Sequence, residues 1–196
     1  MGPVTLGAPL QRREVILPSG LRFPVSEINR WANRYSYPRS DRDLIETLRP
    51  AAQLQRHITR AQLLQICRWK SPRSAAKAEI NDDPYVREIT SVSFSTQSER
   101  LRIEALTLLT GVSWPIASTV LHFGDSEEYP ILDVRALWSL GIRDEPTAYR
   151  FQLWEEYVQE CRRIAREAGV SVRTLDKALW QYAKAHQPKQ SSIDSL

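Results

Sequence analysis

Asp133 ends the run Tyr129-Pro130-Ile131-Leu132-Asp133 and directly precedes Val134-Arg135-Ala136-Leu137-Trp138, a helix-forming segment. An aspartate there is a good N-cap, worth on the order of 1 kcal/mol. The same carboxylate, if it faces a cleft, can stabilise a developing positive charge and orient a water for attack. Upstream lies Leu108-Leu109-Thr110-Gly111-Val112-Ser113-Trp114-Pro115-Ile116-Ala117. Gly111 can take the positive φ that a tight helix-to-helix turn demands. Ser113 suits an N-cap, and Pro115 suits the first helical turn, where a missing N–H matters little. The turn amides and the helix N-terminus leave donors unpaired at a positive dipole end, which makes an anion site of phosphate size. The alternative is an ordinary helical hairpin whose donors are satisfied by caps and water.

Taken together, these two runs resemble the helix-hairpin-helix DNA glycosylase superfamily, in which a Leu-Pro-Gly-Val-Gly turn precedes a helix, a loop and a catalytic aspartate. Leu109-Thr110-Gly111-Val112-Ser113 matches the turn, Ala117 the alanine after it, and Tyr129-Pro130-Ile131-Leu132-Asp133 the run into the aspartate. The resemblance extends over residues 40 to 187, with its motifs between Leu108 and Leu140. It implies an all-α, endonuclease III-like fold of two helical lobes with a cleft, and Asp133 as the catalytic carboxylate. The amides of Gly111, Val112, Ser113 and Trp114 would hold a DNA phosphate. The main-chain carbonyls of Thr107, Leu109 and Val112 would hold a monovalent cation, K or Na.

Three departures narrow the resemblance. Ser113 replaces the second turn glycine, which raises the conformational cost if that position needs positive φ. Pro115 stands where bifunctional relatives carry a Schiff-base lysine, so no amine-driven lyase step is expected from that position. Cys67 and Cys161 are the only cysteines, too few for the four-cysteine iron–sulfur cluster of some relatives. These differences suit a monofunctional, cluster-free relative, or a chain that kept the fold and lost the chemistry.

The elements that must position these residues are helical. Residues 1–26 carry Pro3, Pro9, Pro18, Gly20 and Pro24 and form either a small hairpin over Glu14–Phe23 or an extended arm on the body. Residues 27–187 form the helical domain. Ser26 caps a helix carrying Ile28, Trp31, Ala32 and Tyr35. A second helix follows Ser40 and stops before Pro50, and a third runs from Thr59 to Trp69 and is ended by Pro72. Its basic end, with Lys70 and Arg73, either complements the helix dipole or contacts phosphate. Residues Pro84–Ser93 read as helix, with a short strand over Thr90–Phe94 as the alternative. Ser98 caps a helix carrying Leu101, Ala105, Leu108 and Leu109. A long helix with Phe151, Trp154, Val158, Cys161 and Ala165 on one face closes at Gly169, and Ser171 caps a last helix carrying Val172, Leu175, Leu179 and Tyr182. The polar tail, 188–196, reads as disordered.

Composition sets the bounds. A chain of 196 residues, 42% hydrophobic, can bury one sizeable core. Against 23 acidic residues stand 27 Lys and Arg, a net charge of +4, so any affinity for nucleic acid needs its cations gathered on one face. The two separated cysteines and the lack of an apolar leader point to a reducing, cytoplasmic or nucleoid-associated location. The uncharged run Ala105–Gly124 is broken by Gly111 and Pro115 and reads as two buried helices and a turn, not a membrane span. The expected function is an N-glycosylase that binds double-stranded DNA and hydrolyses the bond to a damaged or modified base, with Asp133 as carboxylate. Arg135 either contacts phosphate or pairs with Asp133, and Trp69, Trp114 and Trp138 are candidates for stacking or for core packing. The rival is a non-catalytic DNA-binding or regulatory protein that uses the same hairpin. A protein–protein module would need only the amphipathic stripes.

Overall fold

The computed structural model describes residues 20–125, 129–142 and 149–188. Among them run ten α-helices and no strand: α1 (Ile28–Asn33), α2 (Arg49–Gln55), α3 (Arg60–Lys70), α4 (Pro72–Ala78), α5 (Asp83–Ser95), α6 (Glu99–Leu106), α7 (Trp114–Gly124), α8 (Val134–Ser139), α9 (Phe151–Ala168) and α10 (Val172–His186). No described helix is long and apolar enough to cross a membrane. The expected tail and most of the expected arm lie outside the described residues. From Gly20 the chain is extended on the body: the Arg22 amide donates to the Ser139 carbonyl at 2.9 Å, and Phe23 is buried against Tyr182.

Local chemistry sets most helix ends. Thr59 and Gln62 form a reciprocal capping box at α3, and Asp82, Ser98 and Ser171 cap α5, α6 and α10 through their side chains. Gly169 closes α9 at φ +65°. The helix reading of Pro84–Ser93 holds, and α5 continues to Ser95 in place of the alternative strand.

Four readings need correction. Ser26 lies inside a 3₁₀ turn, Val25–Glu27, and caps nothing; α1 ends before Tyr35. The second helix does not stop before Pro50. A widened π turn, Leu44–Leu48, precedes α2 and opens the turn that faces the proline ring, so the chain stays helical to Gln55. Helix α6 ends at Leu106 and buries Ile103, Ala105 and Leu106, leaving Leu101 and Leu108 exposed. Pro72 does not simply end α3: it starts α4, a helix with no apolar stripe to announce it.

At the centre lies α7, buried from Ile116 to Gly124 and packed on α2, α3 and α6. A helix enclosed on all sides needs its polar groups paired, and the Ser118 and Thr119 hydroxyls both donate to the Pro115 carbonyl. A methyl on Gly124 would lie 2.5 Å from Phe94 Cζ. Gly124→Ala is therefore expected to cost about 1–3 kcal/mol through overpacking. Phe94→Leu should relieve the clash, so urea denaturation of the double variant should show less than the sum of the single losses.

His122 is fully buried on α7, and its Nδ1–H donates to the Tyr129 carbonyl at 2.7 Å. Burial, reinforced by the nearby cations Arg173, Arg49 and Lys177, holds its pKa well below the ordinary 6.5, against the pull of that hydrogen bond. The unfolded chain binds a proton below about pH 6.5 that the folded chain refuses, so stability falls as pH drops through that value. The slope is about 1.4 kcal/mol per pH unit down to the folded pKa. His122→Asn keeps a donor near Nδ1 and should remove this component from the acid limb of stability. An unchanged acid limb would show that His122 is not its source.

Candidate nucleic-acid interface

Gly111 sits at φ +80°, as the turn requires. A Cβ there would lie 2.7 Å from the Ala78 amide nitrogen and 2.8 Å from the Ser74 carbonyl, so the hairpin tip rests directly on the backbone of α4. Asn81 fastens it there. Its Oδ1 accepts from the Thr110 amide at 2.9 Å, while Nδ2 donates to the carbonyls of Thr110 at 2.9 Å and Ala78 at 2.8 Å.

Ser113 takes the N-cap position of α7 at φ −84° with no side-chain cap bond, which corrects the expectation that its hydroxyl caps the helix. Replacing the second glycine thus carries no left-handed strain. Among the described residues the amides of Gly111, Ser113 and Trp114 have no protein acceptor. An open groove of about 690 Å³ runs between α4 and the hairpin, walled by Arg73, Ser74 and Lys77 on one side and residues 107–113 on the other. Gly111, Val112, Ser113 and Arg73 therefore share one groove with Thr107 and Leu109, the other two residues expected to offer carbonyls to a cation. The Val112 amide donates to the Leu109 carbonyl at 3.0 Å, which corrects the expectation that it is free for a phosphate and leaves that carbonyl one lone pair. Trp114 stands apart, packed partly buried against the core. The groove lining carries two cations and no carboxylate. Lys77 was missed by sequence reasoning; its spacing from Arg73, i and i+4, places both on one helical face once Pro72 is read as a helix start.

Asp133 caps α8: Oδ1 accepts from the Arg135 amide at 2.9 Å. Oδ2 accepts from Lys70 Nζ at 2.6 Å, in a pair only 20% and 10% exposed. The Lys70 ammonium is thus engaged by Asp133 and not free for phosphate, while its place in the last turn of α3 still complements the helix dipole. Arg135 does not pair with Asp133 through its side chain, which lies over the Trp180 ring at 4.8 Å. The strand of chain entering Asp133 is pinned from three helices. Asp176 on α10 accepts from the Ile131 amide at 3.2 Å, Tyr157 on α9 donates to the Ile131 carbonyl at 2.9 Å, and Ser118 on α7 accepts from the Leu132 amide at 2.9 Å.

Compared with known proteins, the chain matches no family model, no curated protein and no solved structure.

Among the described residues Asp133 faces no open cleft. It borders a pocket of about 10 Å³, the room of a single water, walled by Tyr35, Tyr37, Trp69 and Trp180. Tyr35 and Tyr37 are parallel with centroids 6.1 Å apart, and Trp180 meets both edge-on. Below them Arg173 bridges Asp41 and Asp176, each at 2.5 Å. Burial pushes the Asp176 carboxyl above its usual range against the pull of Arg173. For Asp41 burial acts the same way, but the Arg173 hydrogen bond and charge win and hold it low. Trp69 is buried between Tyr37 and Phe123, and Trp138 lies under Arg22, so these tryptophans pack and do not project. Cys67 and Cys161 are buried and free, and burial raises the Cys67 thiol to about 12. Among the described residues no three His, Cys, Asp or Glu side chains gather as a metal site.

Lys70 and Arg73 flank the Ser71–Pro72 corner between α3 and α4. One reaches Asp133 and the other the hairpin groove, so a single corner joins the two sites.

Proposed function

We propose that this protein grips the backbone of double-stranded DNA in the α4–hairpin groove and hydrolyses an N-glycosidic bond at Asp133, as a monofunctional glycosylase of base-excision type. The reading is carried by one juxtaposition: a carboxylate whose approach is pinned from three helices lies one helix corner from an open, cationic groove with unpaired amides. Phosphate held in the groove fixes the duplex. A nucleotide then leaves the stack at a cost of a few kcal/mol, least for a damaged or mispaired base. The rings of Tyr35, Tyr37 and Trp180 would offer it stacking faces if Tyr37 let go of the Trp69 and Lys70 carbonyls. Asp133 stabilises the positive charge that develops on the sugar and orients the attacking water. In the groove the carbonyls of Thr107, Leu109 and Val112 suit a potassium or sodium ion, which would add positive charge beside the phosphate. A DNA partner is compatible with a cytoplasmic or nucleoid-associated location.

A second reading, a DNA-binding protein without catalysis, is favoured by two observations: both Asp133 oxygens are engaged and the pocket beside it has room for only about one water. Titration of a duplex at roughly 50 and 200 mM salt tests the DNA reading, with affinity expected to fall steeply and independently of sequence. Affinity that is absent or insensitive to salt sinks it. Single-turnover base release over a panel of lesions then separates the two readings: release supports the glycosylase, and binding with no release from any lesion supports the second.

A further inference from the structure

The wall of the groove opposite the hairpin is supplied by α4. Lys77 Cβ lies 3.0 Å from where a Gly111 Cβ would stand, so the lysine stem leans on the hairpin tip, and Arg73 stands one turn earlier on the same face. Both are exposed, and among the described residues neither makes an ion pair. On the hairpin side Leu108 lines the groove and is 62% exposed, although the apolar residues around it, Leu106, Leu109 and Val112, are buried. Ile80, in the turn after α4, is 78% exposed, and its neighbour Asn81 binds the hairpin tip at Thr110. Cations inside a groove with one large aliphatic, Leu108, in its lining and another, Ile80, exposed in the turn that follows its α4 wall match the chemistry of one nucleic-acid strand, in which charged phosphates alternate with apolar sugar edges.

We propose that the groove seats one DNA strand between two walls, with Arg73 and Lys77 on α4 taking phosphates and Leu108 and Ile80 pressing on the flanking deoxyribose edges. The proposal rests on the DNA reading above and adds to it the division of contacts along the strand: phosphates to the α4 cations, sugar edges to the exposed aliphatics. Lys77 and the two aliphatics become binding residues, and α4 an element of recognition, not merely a prop for the hairpin.

The two kinds of contact leave different signatures. A phosphate contact releases counterions, so Lys77→Gln and Arg73→Gln should each flatten the slope of log affinity against log salt by about 0.9, and the pair by about twice that. A sugar contact is apolar: Leu108→Ser and Ile80→Ser should each weaken binding roughly fivefold with the wild-type slope retained. All four side chains are exposed, and unchanged thermal unfolding of each variant checks that the fold is intact. The measurement is fluorescence anisotropy of a labelled duplex over a salt series. Wild-type protein that shows no salt-dependent binding overturns the DNA reading itself. Wild-type binding with unchanged slopes in both cation variants overturns the α4 wall alone, and aliphatic variants that bind as wild type overturn the sugar-edge contacts.

Discussion

Gly111→Val is expected to lose about 3–5 kcal/mol of stability, a large share of what a domain of this size holds. Two costs add. A non-glycine residue in the left-handed region costs roughly 1–2 kcal/mol, more when β-branched. The new Cβ would also meet the backbone of α4 at 2.7 and 2.8 Å, and backbone, unlike a flexible side chain, cannot swing aside. Gly111→Ala should therefore show most of the same loss, since the first carbon makes the clash. Val112→Ile at the neighbouring buried position should cost only about 1 kcal/mol. Equilibrium urea unfolding of the three variants measures this order. Where Gly111→Ala still folds, its DNA affinity should fall as well, because the tip must lift from α4 and the groove changes shape. Wild-type stability in Gly111→Val would mean that the hairpin does not rest on α4.

Asp133→Asn is expected to abolish most base release, by roughly 10²–10³-fold, while leaving DNA affinity equal or slightly improved. On sequence grounds Asn caps a helix nearly as well as Asp, which predicts a stability change within roughly 1 kcal/mol. The structure revises that figure. Lys70, 10% exposed, loses its counter-charge, and because the pair keeps some contact with water the cost is about 1–3 kcal/mol, short of the value for a fully buried pair. Lys70→Met combined with Asp133→Asn removes both charges and should recover most of that loss, since an apolar replacement of a whole pair is often close to neutral. It should not recover release. Stability that returns while release stays lost separates the chemistry of Asp133 from its structural service. Undiminished release by well-folded Asp133→Asn, on a lesion that the wild type processes, would remove Asp133 from the mechanism.

The sequence by itself determined whatever depends on neighbours along the chain. The caps at Ser98, Asp133 and Ser171, the helix start at Thr59, the left-handed residues Gly111 and Gly169, and the apolar faces of α9 and α10 are all written within a turn or two of the residues concerned. Helix ends and amphipathic stripes are local properties, so an all-helical chain with a tight hairpin before an aspartate cap was legible without coordinates. Proline was not. Its ring disfavours helix at the preceding residue and equally suits the first helical turn, so Pro72 reads as a stop or a start, and local rules do not choose between them. In the folded chain Pro72 starts α4, the hairpin tip rests on that helix's backbone, and with it come the second wall of the groove and Lys77. The partner of Asp133 was hidden for the same reason. Lys70 lies 63 residues away, and a charge pair carries no periodicity or turn signal that would join its members before the chain has folded. The small aromatic pocket likewise draws Tyr35, Trp69 and Trp180 from three distant stretches, so only tertiary packing decided that among the described residues Asp133 borders a space of one water.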